Sequence, residues 1–299
     1  MVRKYYKKRE GFVVQYEKIT VDASIGPVGA VIDGVDLSQK LSEQVIVEIH
    51  QAWLQHHVVF FRNQELSPVQ QADFAACFGE LDIYPFMQAV EDHPNVIPII
   101  KESTTELNFG GAWHTDTSYK ERPPKATVLY AMQVPDEGGD TLFADCTAAC
   151  DSLSAGIRSS LQALTGIYSA KMVHGIGGGY NQVAAKKGLG QAYGGNADFA
   201  ESEVEHPLIR IHAETGRKSI FCSKPHTHRI KNWTREESLA VFGFLTQHLT
   251  QDRFVTRFKW ENGSLAMWDN RCVFHHALND YQGQRRHMHR VILKGEKPV

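Results

Sequence analysis

His114 and Asp116 stand one residue apart in Trp113-His114-Thr115-Asp116, and a second pair of imidazoles follows much later in Phe274-His275-His276. On an extended segment, side chains two apart point to the same side, so His114 and Asp116 can reach a single ion. Adjacent residues on a strand project to opposite faces, so one of His275 and His276 can join them but not both without distortion. Two neutral imidazoles and one carboxylate form the facial set that suits Fe(II) and leaves coordination positions open. Such openness is what oxygen chemistry needs, because O2 and a co-substrate supplying two electrons must both reach the metal. A structural metal site would instead fill every position with protein groups. With fifteen histidines in the chain, His-x-Asp by itself is a weak signal.

The elements available to position these groups are mostly short strands. Apolar or alternating runs predict strands at Phe12 to Tyr16, Val28 to Ile32, Val58 to Phe61, Val96 to Ile100, Ala126 to Met132, Thr141 to Ala144 and Leu208 to His212. Others are expected at Ser219 to Phe221, Phe254 to Trp260, Leu265 to Trp268 and Met288 to Leu293. Phe254, Thr256, Phe258 and Trp260 alternate with Val255, Arg257 and Lys259, as a sheet with one buried face requires. Three helices are expected. Ile46, Ile49 and Trp53 recur at helical spacing after Ser42, and Ser67-Pro68-Val69-Gln70 combines an N-cap, a first-turn proline and a capping-box Gln. Thr234 with Glu237 opens the third, with Leu239, Phe242 and Leu245 on its apolar side. Many short strands with few helices between them predict a sandwich or barrel, not a doubly wound sheet.

Residues 172–206 are Gly-rich and aperiodic and read as one long loop of the lid or binding kind. Gly175-Ile176-Gly177-Gly178-Gly179-Tyr180 only superficially resembles a dinucleotide loop, since Tyr180 stands where the third glycine is needed. No linker or internal repeat divides the chain, so residues 1–299 are expected to form one domain with a basic tail at 1–11.

The 299 residues, 42% hydrophobic and 22% charged, have the composition of a globular protein with a sizeable core. A formal charge of −2 offers no field to attract nucleic acid or an anionic membrane. The apolar runs are too short to cross a bilayer, and the first residues lack the apolar stretch of a signal peptide, which predicts a cytoplasmic protein. Five cysteines without a Cys-x-x-Cys pair fit reduced, buried thiols.

Several segments taken together resemble the taurine / chlorophenoxyacetate dioxygenase family of Fe(II)- and 2-oxoglutarate-dependent oxygenases. They are GAVIDGVDLS, HHVVFFRNQELSP, FGEL, WHTDTSY followed by RPP, GGDTLFAD, HPLIRIH, ETGRKSIF, WDNR and QRRHMHR, in family order over nearly the whole chain. The resemblance implies a mainly β fold with flanking helices (α+β), a double-stranded β-helix or cupin-like jelly roll, and a homo-oligomer. It implies Fe(II), 2-oxoglutarate as co-substrate and O2, with His114, Asp116 and His275 as the metal ligands, His275 being the His seven residues after Trp268. Arg286 and Thr141 match the residues that hold the distal carboxylate of 2-oxoglutarate. Arg290 matches the arginine that meets a sulfonate, sulfate or carboxylate on the primary substrate, with Tyr84, Met87 and Thr117 as further substrate contacts. Arg286 and Arg290 are four apart, hence on one side of a strand.

Taurine-using members carry His, Tyr and Asn where this chain has Tyr84, Met87 and Gly110, so the expected substrate is an anion other than taurine, with a larger apolar body. Asp116 is retained, which favours hydroxylation over halogen transfer. The products expected are succinate, CO2 and a hydroxylated substrate. Two other readings of the same residues are a non-catalytic barrel holding a small anion or a metal, and a zinc hydrolase; no Glu stands beside the three ligands to serve as the base that hydrolysis needs.

Overall fold

The computed structural model describes residues 15–175 and 200–299. The basic tail at 1–11 and the middle of the Gly-rich stretch lie outside the described residues. In chain order the first elements are β1 (Thr20–Asp22), β2 (Ala30–Asp33), α1 (Glu43–His56), β3 (Val58–Phe61), α2 (Pro68–Ala76), β4 (Ile97–Lys101) and β5 (Ala126–Gln133). Then come β6 (Thr141–Asp145), α3 (Cys146–Ser152), α4 (Ala155–Gln162), β7 (Thr165–Tyr168) and α5 (Lys171–His174). After the gap follow β8 (Val204–Pro207), β9 (Ile209–Ile211), β10 (Lys218–Ile220), β11 (Thr227–Ile230) and α6 (Arg235–Leu249). The last four strands are β12 (Val255–Phe258), β13 (Leu265–Asp269), β14 (Val273–Ala277) and β15 (Arg286–Leu293).

Seven strands form the large sheet, in the order β1-β2-β3-β13-β5-β15-β4, with β2 and β3 the parallel pair. A three-stranded sheet, β12-β6-β14, faces it. The contact between them is aromatic: Phe60 of β3 stacks on Phe258 of β12 with centroids 4.0 Å apart and meets Phe143 of β6 edge-on at 5.6 Å. Two apolar layers flank this interior. Val59, Phe61, Val128, Leu265, Met267 and Val291 turn outward onto α1 and α2, while Val58, Phe60, Leu129, Ala266, Trp268, Met288 and Ile292 turn inward. The strict alternation along fully buried strands is the pleat at work. Behind the smaller sheet, Ala144 and Phe274 pack with α3, α6, β9 and β10 around Phe242, Leu245 and Leu249. The result is a jelly-roll barrel with helices on its outside.

Local chemistry explains where the helices begin. Ser42 accepts from the Val45 N–H, and both Ser67/Gln70 and Thr234/Glu237 close reciprocal capping boxes. The alternation expected around β12 is present, with Thr256 and Phe258 buried and Arg257 exposed.

Three sequence expectations are corrected. Gln15 and Tyr16 are not in a strand, and the first strand is Thr20–Asp22; Phe12 to Val14 lie outside the described residues. Residues 172–206 are not one loop, because Met172 to His174 belong to the single turn α5, and Val204–Pro207 pairs with β7. One turn is too short to show periodicity, and β8 is a polar edge strand, so neither carries a pattern. Leu239 does not join the apolar side of α6 and is exposed; Ser238 takes that place, bonding the Ile230 N–H through its hydroxyl. The sheet β11-β7-β8 and the helices α3 and α4 were not expected at all.

Candidate active site

Between the two sheets the chain brings His114, Asp116 and His275 together. His275 sits on β14, and the segment carrying His114 is clipped to it by a two-way backbone bridge, each N–H reaching the other's carbonyl at 2.9 Å. Asp116 Oδ1 lies 3.5 Å from His114 Nε2 and 3.7 Å from His275 Nε2, and one ligand atom from each residue lies within 4.8 Å of the others. All three side chains are buried. His114 Nδ1 is 2.7 Å from the Ala112 carbonyl, the contact that leaves Nε2 free to ligate. His276 points away, against the Trp113 ring.

Their protonation suits a divalent cation. Burial disfavours the charged form of Asp116, but the adjoining imidazoles and the Arg290 guanidinium outweigh it and hold the carboxyl well below the usual range. Burial, reinforced by His114, pushes His275 down to about 3, so its imidazole is neutral. A carboxylate and a neutral imidazole are the states a metal requires.

An unanticipated relay orients the carboxylate. Thr127 Oγ1 on β5 donates to Asp116 Oδ2 at 2.6 Å and accepts from Asn270 Nδ2 at 2.9 Å, while Asn270 Oδ1 accepts from Trp268 Nε1 at 3.0 Å. Two residues of the WDNR segment thus act on Asp116 through a threonine that no motif marks. Thr127→Val keeps the shape and removes the donor. Loss of such an outer partner costs about 10–100-fold in metal affinity; an anaerobic metal titration should show that loss, and an unchanged affinity would contradict the relay.

The cavity beside these ligands runs inward to Thr141 and Arg286 between the apolar walls of Ile99, Leu129 and Trp268. Trp260 touches both residues at its end: its Nε1 donates to Thr141 Oγ1 at 2.9 Å, and Arg286 lies over its ring at 5.7 Å. With the Trp N–H on its oxygen, the Thr141 hydroxyl can turn its own proton into the cavity. Arg286 is 5% exposed, and among the described residues its Nε and Nη2 have no hydrogen-bond partner. Burying such donors unpaired is costly, so the arrangement is built for an anion.

A wider cavity of about 1040 Å³, its open mouth included, lies on the other side of the ligands. Arg290 borders both cavities, 3.8 Å from Asp116 Oδ1, with its guanidinium 4.2 Å above the Tyr84 ring and 5.3 Å from that of Phe109. Tyr84 and Thr117 line the wider cavity. Thr117 is held at φ +49°, a left-handed conformation that costs a β-branched residue about 1–3 kcal/mol. Met87 lines neither cavity and is half-buried against the interior cluster. Gly110, also left-handed at φ +77°, borders both cavities; a Cβ there would come within 3.3 Å of His114 Cε1, so the glycine keeps space open beside the ligand.

Sequence reasoning missed His174, His226 and Tyr119 in the wider cavity's wall. His174 stacks on Phe86 and reaches the Tyr84 hydroxyl at 3.3 Å; His226 bonds Ser118 Oγ through Nδ1 at 2.9 Å. Burial first, and Arg290 second, pushes His174 down to about 4, and burial holds His226 well below its ordinary value. Both offer neutral imidazoles. Neither stands in a motif, so nothing in the sequence separates them from the other histidines.

A second group with metal-like spacing, His212, Asp269 and Cys272, is saturated by the protein. Asp269 takes three hydrogen bonds from Arg271 and one from His212 Nε2, and His212 Nδ1 accepts from two backbone N–H groups. It is a structural ion-pair network.

Known proteins resemble this chain over most of its length. The family model described as "Taurine catabolism dioxygenase TauD, TfdA family" matches residues 16–292. An alkylsulfatase of Acinetobacter baylyi is 30% identical over 95% of this chain and 86% of its own. An alpha-ketoglutarate-dependent sulfate ester dioxygenase of Pseudomonas putida is 31% identical over 94% of this chain and 91% of its own. The crystal structure of a taurine dioxygenase from Burkholderia xenovorans superposes with a TM-score of 0.78 at 33% identity, covering 95% of this chain and 91% of that one.

Proposed function

The chain belongs to the TauD, TfdA family and is a 2-oxoglutarate-dependent dioxygenase acting on a small organic anion; from that premise we propose that His114, Asp116 and His275 hold Fe(II) and that Arg286 with Thr141 holds the distal carboxylate of 2-oxoglutarate. The observation that carries this reading is a single cavity with three convergent metal-binding atoms at one end and, at the other, a buried arginine whose Nε and Nη2 find no hydrogen-bond partner among the described residues. The choice of Fe(II) is supported by the donor set, two imidazoles and one carboxylate whose ligand atoms converge.

Bound iron with 2-oxoglutarate and O2 supplies the oxidation, in which the co-substrate leaves as succinate and CO2 and a substrate C–H becomes C–OH. The protein's part is placement. Arg286 presents a planar fork that pairs bidentately with a carboxylate, and Thr141 adds its hydroxyl proton. Ile99, Leu129 and Trp268 keep water from the path between them and the ligands.

Arg290 is assigned to the anionic end of the primary substrate, because it faces the wider cavity and sits where the two cavities meet. Tyr84, Phe109, Leu107, Val173 and Pro225 around that cavity favour an apolar body behind the anion. Sulfate esters, sulfonates other than taurine, and aryloxy or alkyl carboxylates are therefore the substrates proposed. Substrate-stimulated succinate release across a panel of these anions tests the reading; release stimulated by none of them would overturn it. Arg290→Ala is expected to raise KM for the primary substrate more than KM for 2-oxoglutarate, and equal effects on both would refute this division of labour.

Among the described residues no helix is long and apolar enough to cross a membrane. A homo-oligomeric cytoplasmic enzyme is the form proposed, supported by the family resemblance; light scattering on the purified protein checks the assembly.

A further inference from the structure

Arg290 carries its charge into the wall of the wider cavity, yet few contacts direct it. Among the described residues its ion pair is the 3.8 Å contact with Asp116 Oδ1, on a carboxylate already shared with two imidazoles and Thr127. Its Nε and Nη2 have no hydrogen-bond partner among those residues. The guanidinium rests instead on the Tyr84 ring, 4.2 Å from its centroid, with Phe109 at 5.3 Å. A ring face attracts a cation without setting its direction in the plane, so Arg290 is aimed only as firmly as Tyr84 is fixed.

Tyr84 lies outside every helix and strand, so side-chain contacts must hold it. Its ring meets Phe86 edge-on at 5.9 Å, and its hydroxyl reaches His174 Nε2 at 3.3 Å. Burial keeps the phenol protonated, against the charge of Arg290 and a hydrogen bond from Tyr119. The imidazole that meets it is itself rigidly placed. It stacks on Phe86 with centroids 4.3 Å and planes 16° apart. Its backbone is tied down as well: Ser169 Oγ accepts from the Lys171 N–H at 3.1 Å where α5 begins, and the His174 N–H returns to the Ala170 carbonyl at 2.8 Å. Ala170 belongs to the barrel's interior cluster. A neutral imidazole can stand in this place near Arg290 without repelling it, and a phenol beside it completes a hydrogen bond in either tautomer.

We propose that His174 is a positioning residue of the substrate site, fixing Tyr84 through its hydroxyl and, through the Tyr84 ring, the aim of Arg290 at the anion of the primary substrate. This deepens the assignment of Arg290 given above and rests on it. The contact that matters is polar, so a substitution that keeps the stack on Phe86 and removes the nitrogen should act differently from one that does the reverse.

The test titrates hexyl sulfate, an alkyl sulfate ester of the proposed class, by calorimetry into protein loaded with Mn(II) and 2-oxoglutarate under argon. His174→Phe should weaken hexyl sulfate about three- to tenfold, as loss of one hydrogen bond does, and leave 2-oxoglutarate within about twofold. His174→Gln gives up the stack but returns a polar group to the place of Nε2, and it should recover most of that loss. Tyr84→Phe should match His174→Phe, and the double variant should stay within about twofold of either single one, because all three remove the same contact. Unchanged binding in His174→Phe would overturn the proposal by making His174 a packing residue. No recovery in His174→Gln, or additive losses in the double variant, would overturn it by showing that His174 does not act through the Tyr84 hydroxyl. Should His174→Phe not fold, Tyr84→Phe reads the same contact from its other side, and unchanged binding there counts equally against the proposal. Arg290→Ala measured alongside separates the two levels. Hexyl sulfate that fails to bind the wild type, or binds Arg290→Ala as tightly, overturns the reading of Arg290 and this proposal with it, whereas a failure confined to the His174 and Tyr84 variants rejects this proposal alone.

Discussion

Asp116→Ala is expected to abolish succinate formation and tight metal binding together. The carboxylate is the one anionic ligand in the set, it is buried, and the Thr127 hydroxyl, both imidazoles and Arg290 all converge on it. Removing it leaves two imidazoles and a guanidinium around the space for a dication, with no anionic group among them. The loss should exceed the roughly 100-fold that an outer partner can cost. His275→Ala should behave alike, since the same bridge that positions His114 places that imidazole. Anaerobic metal titration and succinate assays read both effects; turnover near the wild-type rate in either variant would refute the triad.

Arg286→Ala carries the second large effect. Its guanidinium is held over Trp260, buried and incompletely satisfied, so deletion removes a charge-assisted contact worth about 1.5–3 kcal/mol. That corresponds to a rise of about 10- to 150-fold in KM for 2-oxoglutarate. The metal ligands are untouched, so affinity for the ion alone should stay close to wild type. An unchanged KM would move the carboxylate-binding role to another residue, and a parallel loss of metal would mean that the substitution had damaged the barrel.

Much of the candidate metal site could be read from the chain because its residues are close in sequence. His114 and Asp116 are neighbours in the chain, although only His114 is in a β-bridge and Asp116 already lies in a turn, so the strand period expected across the pair does not hold; the even spacing of Arg286 and Arg290 survives in β15 because the extra residue is on β5, opposite, between Ala131 and Gln133. The capping boxes of α2 and α6 and the alternation of β12 are equally local and appear where expected. What escaped depends on contacts distant in sequence. Thr127 is a threonine in an apolar run until β13 brings Asn270 beside it. α3 is made of small residues, Cys146-Thr147-Ala148-Ala149-Cys150, whose faces barely differ, so no helical period stands out. Leu239 misled because a helix face is chosen by what packs on it, and there the Ser238 hydroxyl bonded to Ile230 is the buried neighbour.

Anaerobic addition of Fe(II) and 2-oxoglutarate, followed by visible absorption, addresses the central assignment most directly, because a metal-to-ligand charge-transfer band arises only when the ferrous ion and the 2-oxo acid share one coordination sphere. The expected result is a band that needs both additions, is absent from Asp116→Ala, and returns in Arg286→Ala only at much higher 2-oxoglutarate. No band in the wild-type protein, or a band of full intensity in Asp116→Ala, would contradict the placement of iron and co-substrate at His114, Asp116 and His275.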